Sequence, residues 1–192
     1  MNIQVRPLPD AMADDILKHT DINMDTFVDD KPWRIFILCL IYGLHMVEEF
    51  TFGFVEWADR YFGKFDWTQN LMGNFIFFGV LAFGCYLYAK NPKKYLWTGM
   101  AGSMWVLSNA FIHISATLLG NEYSPGLVTA VILYIPGGLY FLMQWGKKGV
   151  LTWKNLSLSF AVGAMMFMLI PTFVRAIILH AEFAKIFHIV NL

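Results

Sequence analysis

Apolar and polar positions divide the chain into a polar N-terminal stretch and five long apolar segments with short polar breaks. Residues 1–32 are rich in aspartate and predict an acidic cytoplasmic tail. Each apolar segment is long enough to cross a hydrocarbon core of about 30 Å as a helix. The segments are Trp33–Trp57, Asn70–Tyr88, Tyr95–Leu119, Pro125–Trp145 and Leu156–Ala181. The breaks are too short for a second domain. The pattern therefore predicts an all-α, polytopic transmembrane helix bundle in which residues 33–192 form a single five-helix membrane domain.

Lysines in the breaks predict how this bundle is oriented. They cluster after the second and fourth segments, at Lys90, Lys93, Lys94, Lys147, Lys148 and Lys154, and are missing from the break after the third. Loops on the cytoplasmic side carry the excess of basic residues. The N-terminus is thus predicted to be cytoplasmic and the C-terminus to be outside, in a multi-pass protein.

Composition supports the membrane assignment and narrows the classes of partner. The chain is 57% hydrophobic and 15% charged, whereas soluble domains average about 25% charged residues. A formal net charge of zero argues against a nucleic-acid partner. Cys39 and Cys85 both fall inside apolar segments, which favours two buried thiols over a disulfide framework or a zinc ribbon.

Two proline-containing sequences predict features of the fourth segment. Ser124-Pro125 is typical of an N-cap followed by proline at the first helical position. Pro136-Gly137-Gly138 lies inside the same segment and predicts a kink, and Pro171 predicts another in the fifth segment.

Candidate chemistry begins with three ionisable residues in the first apolar segment, His45, Glu48 and Glu49. Each costs roughly 2.5–3.5 kcal/mol to place at membrane depth, so such residues usually mark function. At about 100° per residue, either carboxylate can share a helix face with His45. The motif therefore indicates a polar site inside the bundle.

Residues on the other segments are predicted to reach the same level. A rise of about 1.5 Å per residue puts His45 about 18 Å and His113 about 27 Å above the cytoplasmic edge. The other polar residues of this layer are Asn74, Asn109 and Arg175, at roughly 21–28 Å. Because these residues share one layer between the midplane and the outer leaflet, we expect them to line a single pocket that opens toward the outside. Trp105, placed at mid-membrane, is either packing or part of a substrate platform.

The sequence His45-x-x-Glu48-Glu49 in a small five-helix protein resembles the bacterial HXXEE family, which takes its name from that motif. Asn109-x-x-x-His113 and the sequence from Tyr123 to Ala130 are similar to later segments of the family. The resemblance covers roughly Trp33–Ala181. It implies a bacterial inner-membrane protein of a functionally uncharacterised family, in which His45, Glu48 and Glu49 are the motif residues.

The first functional interpretation is a metal-dependent membrane enzyme. Imidazole and carboxylate together suit zinc, iron or manganese, and an open coordination position suits catalysis. The predicted ligands are His45, Glu49 and His113, with Glu48 as a base or second ligand. Asn74, Asn109, Arg175 and Trp105 are the expected substrate-binding or outer-sphere residues. A hydrolytic or oxidoreductase-type reaction on a hydrophobic or amphiphilic small molecule, with membrane lipid as the surroundings, would follow.

Two alternatives stay open at this point. Buried carboxylates and imidazoles can also move protons on an isoprenoid or other lipid without a metal, as in an isomerase or a cyclase. Arg175 could then pair with a motif carboxylate or hold an anionic headgroup. The same residues could instead join the helices of a non-catalytic scaffold through hydrogen bonds, or line a small transporter. For the scaffold, interhelical hydrogen bonds stabilise the bundle by less free energy than the insertion of a charge costs.

Overall fold

The computed structural model describes residues 27–62 and 65–165, and within them all regular structure is helical. A 3₁₀ turn at Pro32–Phe36 leads into α1 (Ile37–Thr51). The helices that follow are α2 (Phe54–Phe62), α3 (Trp67–Lys90), α4 (Leu96–Gly120), α5 (Leu127–Lys147) and α6 (153–165). The predicted all-α class is confirmed.

Three of these helices, α3, α4 and α5, are long and apolar enough to cross a membrane. A fourth candidate span is a bent pair, made of Pro32–Thr51 and the helix that starts at Phe54, with 77° between the two parts. The predicted fifth segment, Leu156–Ala181, begins within α6, and its remainder lies outside the described residues together with Pro171 and Arg175. The described part of the chain thus holds three candidate spans, or four when the bent pair counts as one.

The prediction of one uninterrupted helix over Trp33–Trp57 was wrong. Helix α1 ends at Thr51, and the chain turns at Gly53, whose φ of +76° is a conformation that residues with a Cβ rarely adopt. Both halves are apolar, so a hydropathy pattern cannot distinguish a bent helix from a straight one. The bend directs α2 across the end of the bundle.

Helix α4 lies at the centre of the packing and contacts α1, α3 and α5. Its small residues permit close approach, as expected for helices in lipid. A Cβ added to Gly102 would lie 3.1 Å from Leu81 of α3 and 3.3 Å from Leu38 of α1. On the facing helix, a Cβ at Gly138 would lie 2.6 Å from Leu107 of α4. The glycines therefore set the spacing at which α1, α3 and α5 meet α4.

Helix α5 departs from regular α-helical geometry near its start. Residues Ala130–Tyr134 form a π-helical turn directly before Pro136. Proline lacks the N–H that would bond one turn back, and π turns inside helices frequently accompany functional sites. The irregularity thus lies one turn earlier than the proline-based prediction placed it.

The cap of α5 also differs from the prediction. Its N-cap is Gly126, with φ of +104° and no capping side chain of its own. Ser124 instead turns its hydroxyl toward His113. The Glu48 carboxylate of α1 accepts hydrogen bonds from the free N–H groups at the start of α5.

The cysteines follow the sequence-based expectation. Cys39 and Cys85 are both buried free thiols, with their sulfur atoms 3.8 Å apart between α1 and α3.

Candidate functional site

Three buried side chains from two helices converge on one point. His45 and Glu49 lie one turn apart on α1, and His113 comes from α4. Glu49 Oε1 is 3.4 Å from His45 Nε2 and 3.5 Å from His113 Nε2. The exposed fractions are 1%, 5% and 4% for His45, Glu49 and His113, so the cluster is shielded from solvent. The structure thus brings together the three residues predicted as metal ligands.

In each imidazole, the outer nitrogen, Nδ1, which is not the one near Glu49, lies within hydrogen-bond distance of a hydroxyl group. His45 Nδ1 lies 2.8 Å from Thr129 Oγ1, and His113 Nδ1 lies 2.9 Å from Ser124 Oγ. The Thr129 hydroxyl donates to the Gly126 carbonyl at 3.2 Å, which leaves its oxygen able to accept from His45 Nδ1 in the tautomer that carries the proton there. A proton on His45 Nδ1 leaves Nε2 free as a ligand atom beside Glu49, whereas the other tautomer donates from Nε2 to the Glu49 carboxylate.

The backbone of Gly126 lies directly against both imidazoles. A Cβ at this position would be 2.6 Å from His45 Cε1 and 2.7 Å from His113 Cε1. The positive φ of Gly126 allows this approach. Glycine is therefore required here twice, for its conformation and for its lack of a side chain.

Glu48, the third motif residue, faces the start of α5 instead of the cluster. Its Oε1 accepts from the N–H groups of Gly126 (3.2 Å) and Val128 (3.0 Å), and its Oε2 from that of Thr129 (2.6 Å). The Tyr123 hydroxyl is a fourth donor. Partial burial of the phenol and the Glu48 carboxylate raise the pKa of Tyr123 to about 12, so it stays a donor at neutral pH. A carboxylate at a helix N-terminus satisfies free N–H groups and is favoured by the helix dipole.

Replacing Glu48 by alanine is expected to lower the free energy of unfolding by about 2–4 kcal/mol, because three backbone N–H groups lose their acceptor. Glu48→Gln keeps one oxygen and should lose less. The measurement is an unfolding titration in detergent micelles. Glu56→Ala, at an exposed carboxylate on α2, is the matched control and should stay within about 0.5 kcal/mol of wild type. Equal stability of Glu48→Ala and the control would rule out the capping role.

Aromatic rings form the walls of the cluster. The ring of Tyr134 lies 4.4 Å from that of His45, centroid to centroid, and Phe54 lies 6.1 Å from His113. Phe54 is the first residue of α2, so the bend at Gly53 brings α2 next to the site. At the rim, Arg60 donates to Glu122 at 3.0 Å and lowers the pKa of that exposed carboxyl. This contact ties α2 to the loop that precedes α5.

The predicted outer residues fall in different places. Asn74 accepts a hydrogen bond from the Tyr42 hydroxyl at 2.6 Å and thereby joins α3 to α1. Asn109 lies one turn from His113, and its Oδ1 is buried with no hydrogen-bond partner among the residues the structure describes. Trp105 stacks on Phe77 at 5.3 Å and meets Tyr42 at 4.9 Å, which is a packing position. Arg175 lies outside the described residues.

Sequence reasoning missed three residues that shape the site, Ser124, Gly126 and Thr129. All of them lie in the stretch from Tyr123 to Ala130, which carried part of the family resemblance. That stretch, with its small and hydroxyl-bearing residues beside a proline, was interpreted only as the start of a helix. Its clustering of hydroxyls at the predicted depth of His113 was the available signal.

Two of the three distances between the potential ligand atoms match those of a metal site. Ligand atoms at about 2.0–2.2 Å from a tetrahedral zinc are about 3.3–3.6 Å apart. The two nitrogen–oxygen distances, 3.4 and 3.5 Å, fall in that interval. The three ligand atoms all lie within 4.8 Å of one another. The arrangement could hold one divalent ion and leave a coordination position open.

Comparison with known proteins places this geometry in context. The chain matches the family model described as protein of unknown function with HXXEE motif over residues 36–141, which include the whole cluster. It is 31% identical over 144 residues to the uncharacterised protein YrkK of Bacillus subtilis (strain 168), an alignment that covers 69% of this chain and 88% of that protein. No solved structure matches the chain.

Proposed function

The chain belongs to the HXXEE family, and from the contacts of its own side chains we propose that it is a membrane-embedded enzyme whose site holds a divalent metal. The ligands are Nε2 of His45, a carboxylate oxygen of Glu49 and Nε2 of His113. The observation that carries the proposal is the convergence of these atoms in a buried site, with both outer nitrogens bonded to hydroxyls. Zinc, iron and manganese all accept this donor set.

The residues around the cluster supply the rest of the site. Thr129 and Ser124 fix the two rings, and Glu48 fixes the backbone that carries Thr129 and Gly126. A bound metal would supply Lewis acidity toward a carbonyl or similar group, in hydrolase- or oxidoreductase-type chemistry. Tyr134 and Phe54 keep the site apolar on two sides, which favours a hydrophobic or amphiphilic small substrate.

The position of one Glu49 carboxylate oxygen between two imidazoles favours a second candidate function, metal-free acid–base catalysis. Glu49 Oε1 is almost equally distant from both Nε2 atoms. Such a carboxylate could share a proton with either ring and perform metal-free acid–base chemistry, as in a lipid or isoprenoid isomerase or cyclase. In that case Glu49 and the two histidines are the acid–base residues, and Glu48 remains a positioning residue.

We place the site in the outer half of a bacterial inner membrane. Lys147 and Lys148 end α5 and Lys90 ends α3, and all three lie at the opposite end of their helices from the cluster. The excess of lysine on that side favours a cytoplasmic N-terminus and a cluster in the outer half of the membrane, and we propose that access to the cluster is from the outside. The proposal includes the fifth span, Leu156–Ala181, and an external C-terminus.

The metal content of the purified full chain tests the proposal. Protein extracted in detergent without chelator should contain close to one ion of zinc, iron or manganese per chain, since one three-ligand site is present in the described residues. Negligible content of all three metals, together with no binding on addition of each, would contradict the metal-dependent function. The acid–base alternative would then require a hydrophobic molecule to co-purify with the protein.

A further inference from the structure

A second polar site lies at the other end of the bundle, where the chain enters α1 and leaves α5. A cleft of about 270 Å³ opens there, and its charged lining comes from Asp29, Asp30, Lys31, Arg34 and Lys148. Arg34 precedes His45 by eleven residues, which corresponds to about 16 Å along a helix. The cleft is therefore separate from the metal-binding cluster.

At this end of the bundle, the Asp29 carboxylate and the Lys148 ammonium make contacts that stabilise the fold. Asp29 accepts from the Tyr88 hydroxyl at 2.5 Å and lies 3.7 Å from the Lys148 ammonium. Lys148 also donates to the Val28 carbonyl at 2.6 Å. These contacts fasten the segment before α1 to α3 and α5, and they form one wall of the cleft.

Two other cations, Lys31 and Arg34, have no carboxylate partner for their side chains among residues 27–62 and 65–165. The Arg34 guanidinium donates a long hydrogen bond, 3.4 Å, to the Tyr140 hydroxyl. Neither Arg34 nor the side chain of Lys31 pairs with an acidic residue within the described part of the chain. A guanidinium carries five donors in a planar fork that fits phosphate oxygens. The cleft thus has three cations, Lys31, Arg34 and Lys148, against two carboxylates, Asp29 and Asp30. Neither carboxylate uses the side-chain donors of Lys31 or Arg34.

Apolar side chains close in sequence to the cleft residues Lys31 and Arg34 are exposed. Trp33 is 64% exposed, Leu40 64% and Ile37 41%. All three belong to the same stretch of chain as Lys31 and Arg34. A tryptophan beside basic residues is typical of the headgroup level of a membrane. Acyl chains would lie against these apolar side chains while a charged group entered the cleft.

We infer that this cleft binds the phosphate group of a membrane phospholipid, with Arg34 and Lys31 as its ligands. Basic pockets between membrane helices bind such headgroups. A volume of about 270 Å³ lies below the roughly 300–1,000 Å³ of sites that enclose a whole small ligand, so it suits a headgroup whose tails remain outside. The inference does not depend on the metal site or on the proposed enzyme activity.

Native mass spectrometry of the full chain in detergent, titrated with phosphatidylglycerol, tests the inference. Wild type should retain one lipid more tightly than the rest. Lys31→Gln and Arg34→Gln should each weaken its retention about fivefold, since one interfacial cation contributes about that factor. Arg34→Lys should keep most of the affinity. Lys154→Gln removes an exposed cation that does not line the cleft and is the matched control.

Four outcomes would overturn the inference. The Lys31→Gln, Arg34→Gln double variant could bind phosphatidylglycerol as tightly as wild type. Lys154→Gln could weaken binding as much as the cleft variants, which would show general attraction to the surface. Inorganic phosphate at millimolar concentration could displace the lipid, which would identify the site as one for the free anion. Diacylglycerol, which lacks the phosphate, should not be retained, and its equal retention would also refute the role of Arg34 and Lys31.

Discussion

Replacing Glu49 by glutamine is expected to remove the bound metal while the helices stay folded. Glutamine keeps the size of the side chain but loses the negative charge that two neutral imidazoles cannot supply. Loss of an outer partner of a ligand typically weakens metal affinity 10–100-fold, so loss of a ligand should exceed about 100-fold. Metal content after dialysis against a weak chelator measures the effect, and circular dichroism in detergent reports the fold.

Glu122→Gln is the matched control for this substitution. Glu122 is an exposed carboxylate paired with Arg60, outside the cluster. The control should keep the wild-type metal content. Retention of the same metal content by Glu49→Gln would show that Glu49 is not a ligand and would favour a structural pairing with the two histidines.

Gly126→Ala is expected to damage both stability and the metal site. Its methyl group would overlap Cε1 of both histidines, at 2.6 and 2.7 Å. Forcing a residue with a Cβ into a positive φ costs about 1–3 kcal/mol, and overpacking of a tight site costs a further 1–3 kcal/mol or so. We expect the free energy of unfolding to fall by about 2–5 kcal/mol and metal affinity to fall with it, because both ligand rings must move.

Gly43→Ala provides the comparison within the same region. Gly43 lies in α1 two residues before His45, and a Cβ there meets nothing within 4 Å. This variant should be neutral or more stable by about 0.5–1 kcal/mol, the ordinary helix gain of alanine over glycine. If Gly126→Ala were as stable as Gly43→Ala and kept its metal, the close contact of Gly126 with the imidazoles would be refuted.

The sequence was sufficient to predict the long helices and the three residues that meet in the buried cluster. Helices α3, α4 and α5 follow from apolar length alone, since a long apolar stretch satisfies all its backbone hydrogen bonds in lipid when it is helical. His45 and Glu49 follow from their spacing of one turn, and His113 from its depth on α4. Rigid helical rise makes such depth comparisons possible without any tertiary information.

The depths estimated from helical rise nevertheless placed His45 and His113, which are neighbours, at different levels of the membrane. It placed His113 about 9 Å above His45, whereas their ring centroids are 4.8 Å apart. Part of the difference comes from the 3₁₀ turn at Pro32–Phe36, which rises about 2.0 Å per residue and lifts α1. Side-chain reach and helix tilt would make up the rest, and neither can be read from spacing.

Tertiary contacts explain what sequence could not predict. Glu48 and Glu49 are adjacent and identical, yet one binds the N-terminus of α5 and the other faces two histidines. The choice depends on where α5 begins, which the Ser124-Pro125 pattern placed too early. The hydroxyls of Ser124 and Thr129 were missed for the same reason, because their partners lie on other helices.

The most direct test of the account is the number of imidazoles bound to the metal. X-ray absorption at the metal edge of the loaded wild-type protein should show two imidazole nitrogens and at least one carboxylate oxygen in the coordination sphere, at about 2.0–2.2 Å for zinc. A His113→Gln variant that retains some metal should show one imidazole. A wild-type spectrum with no imidazole scattering would contradict the assignment of His45 and His113 as ligands.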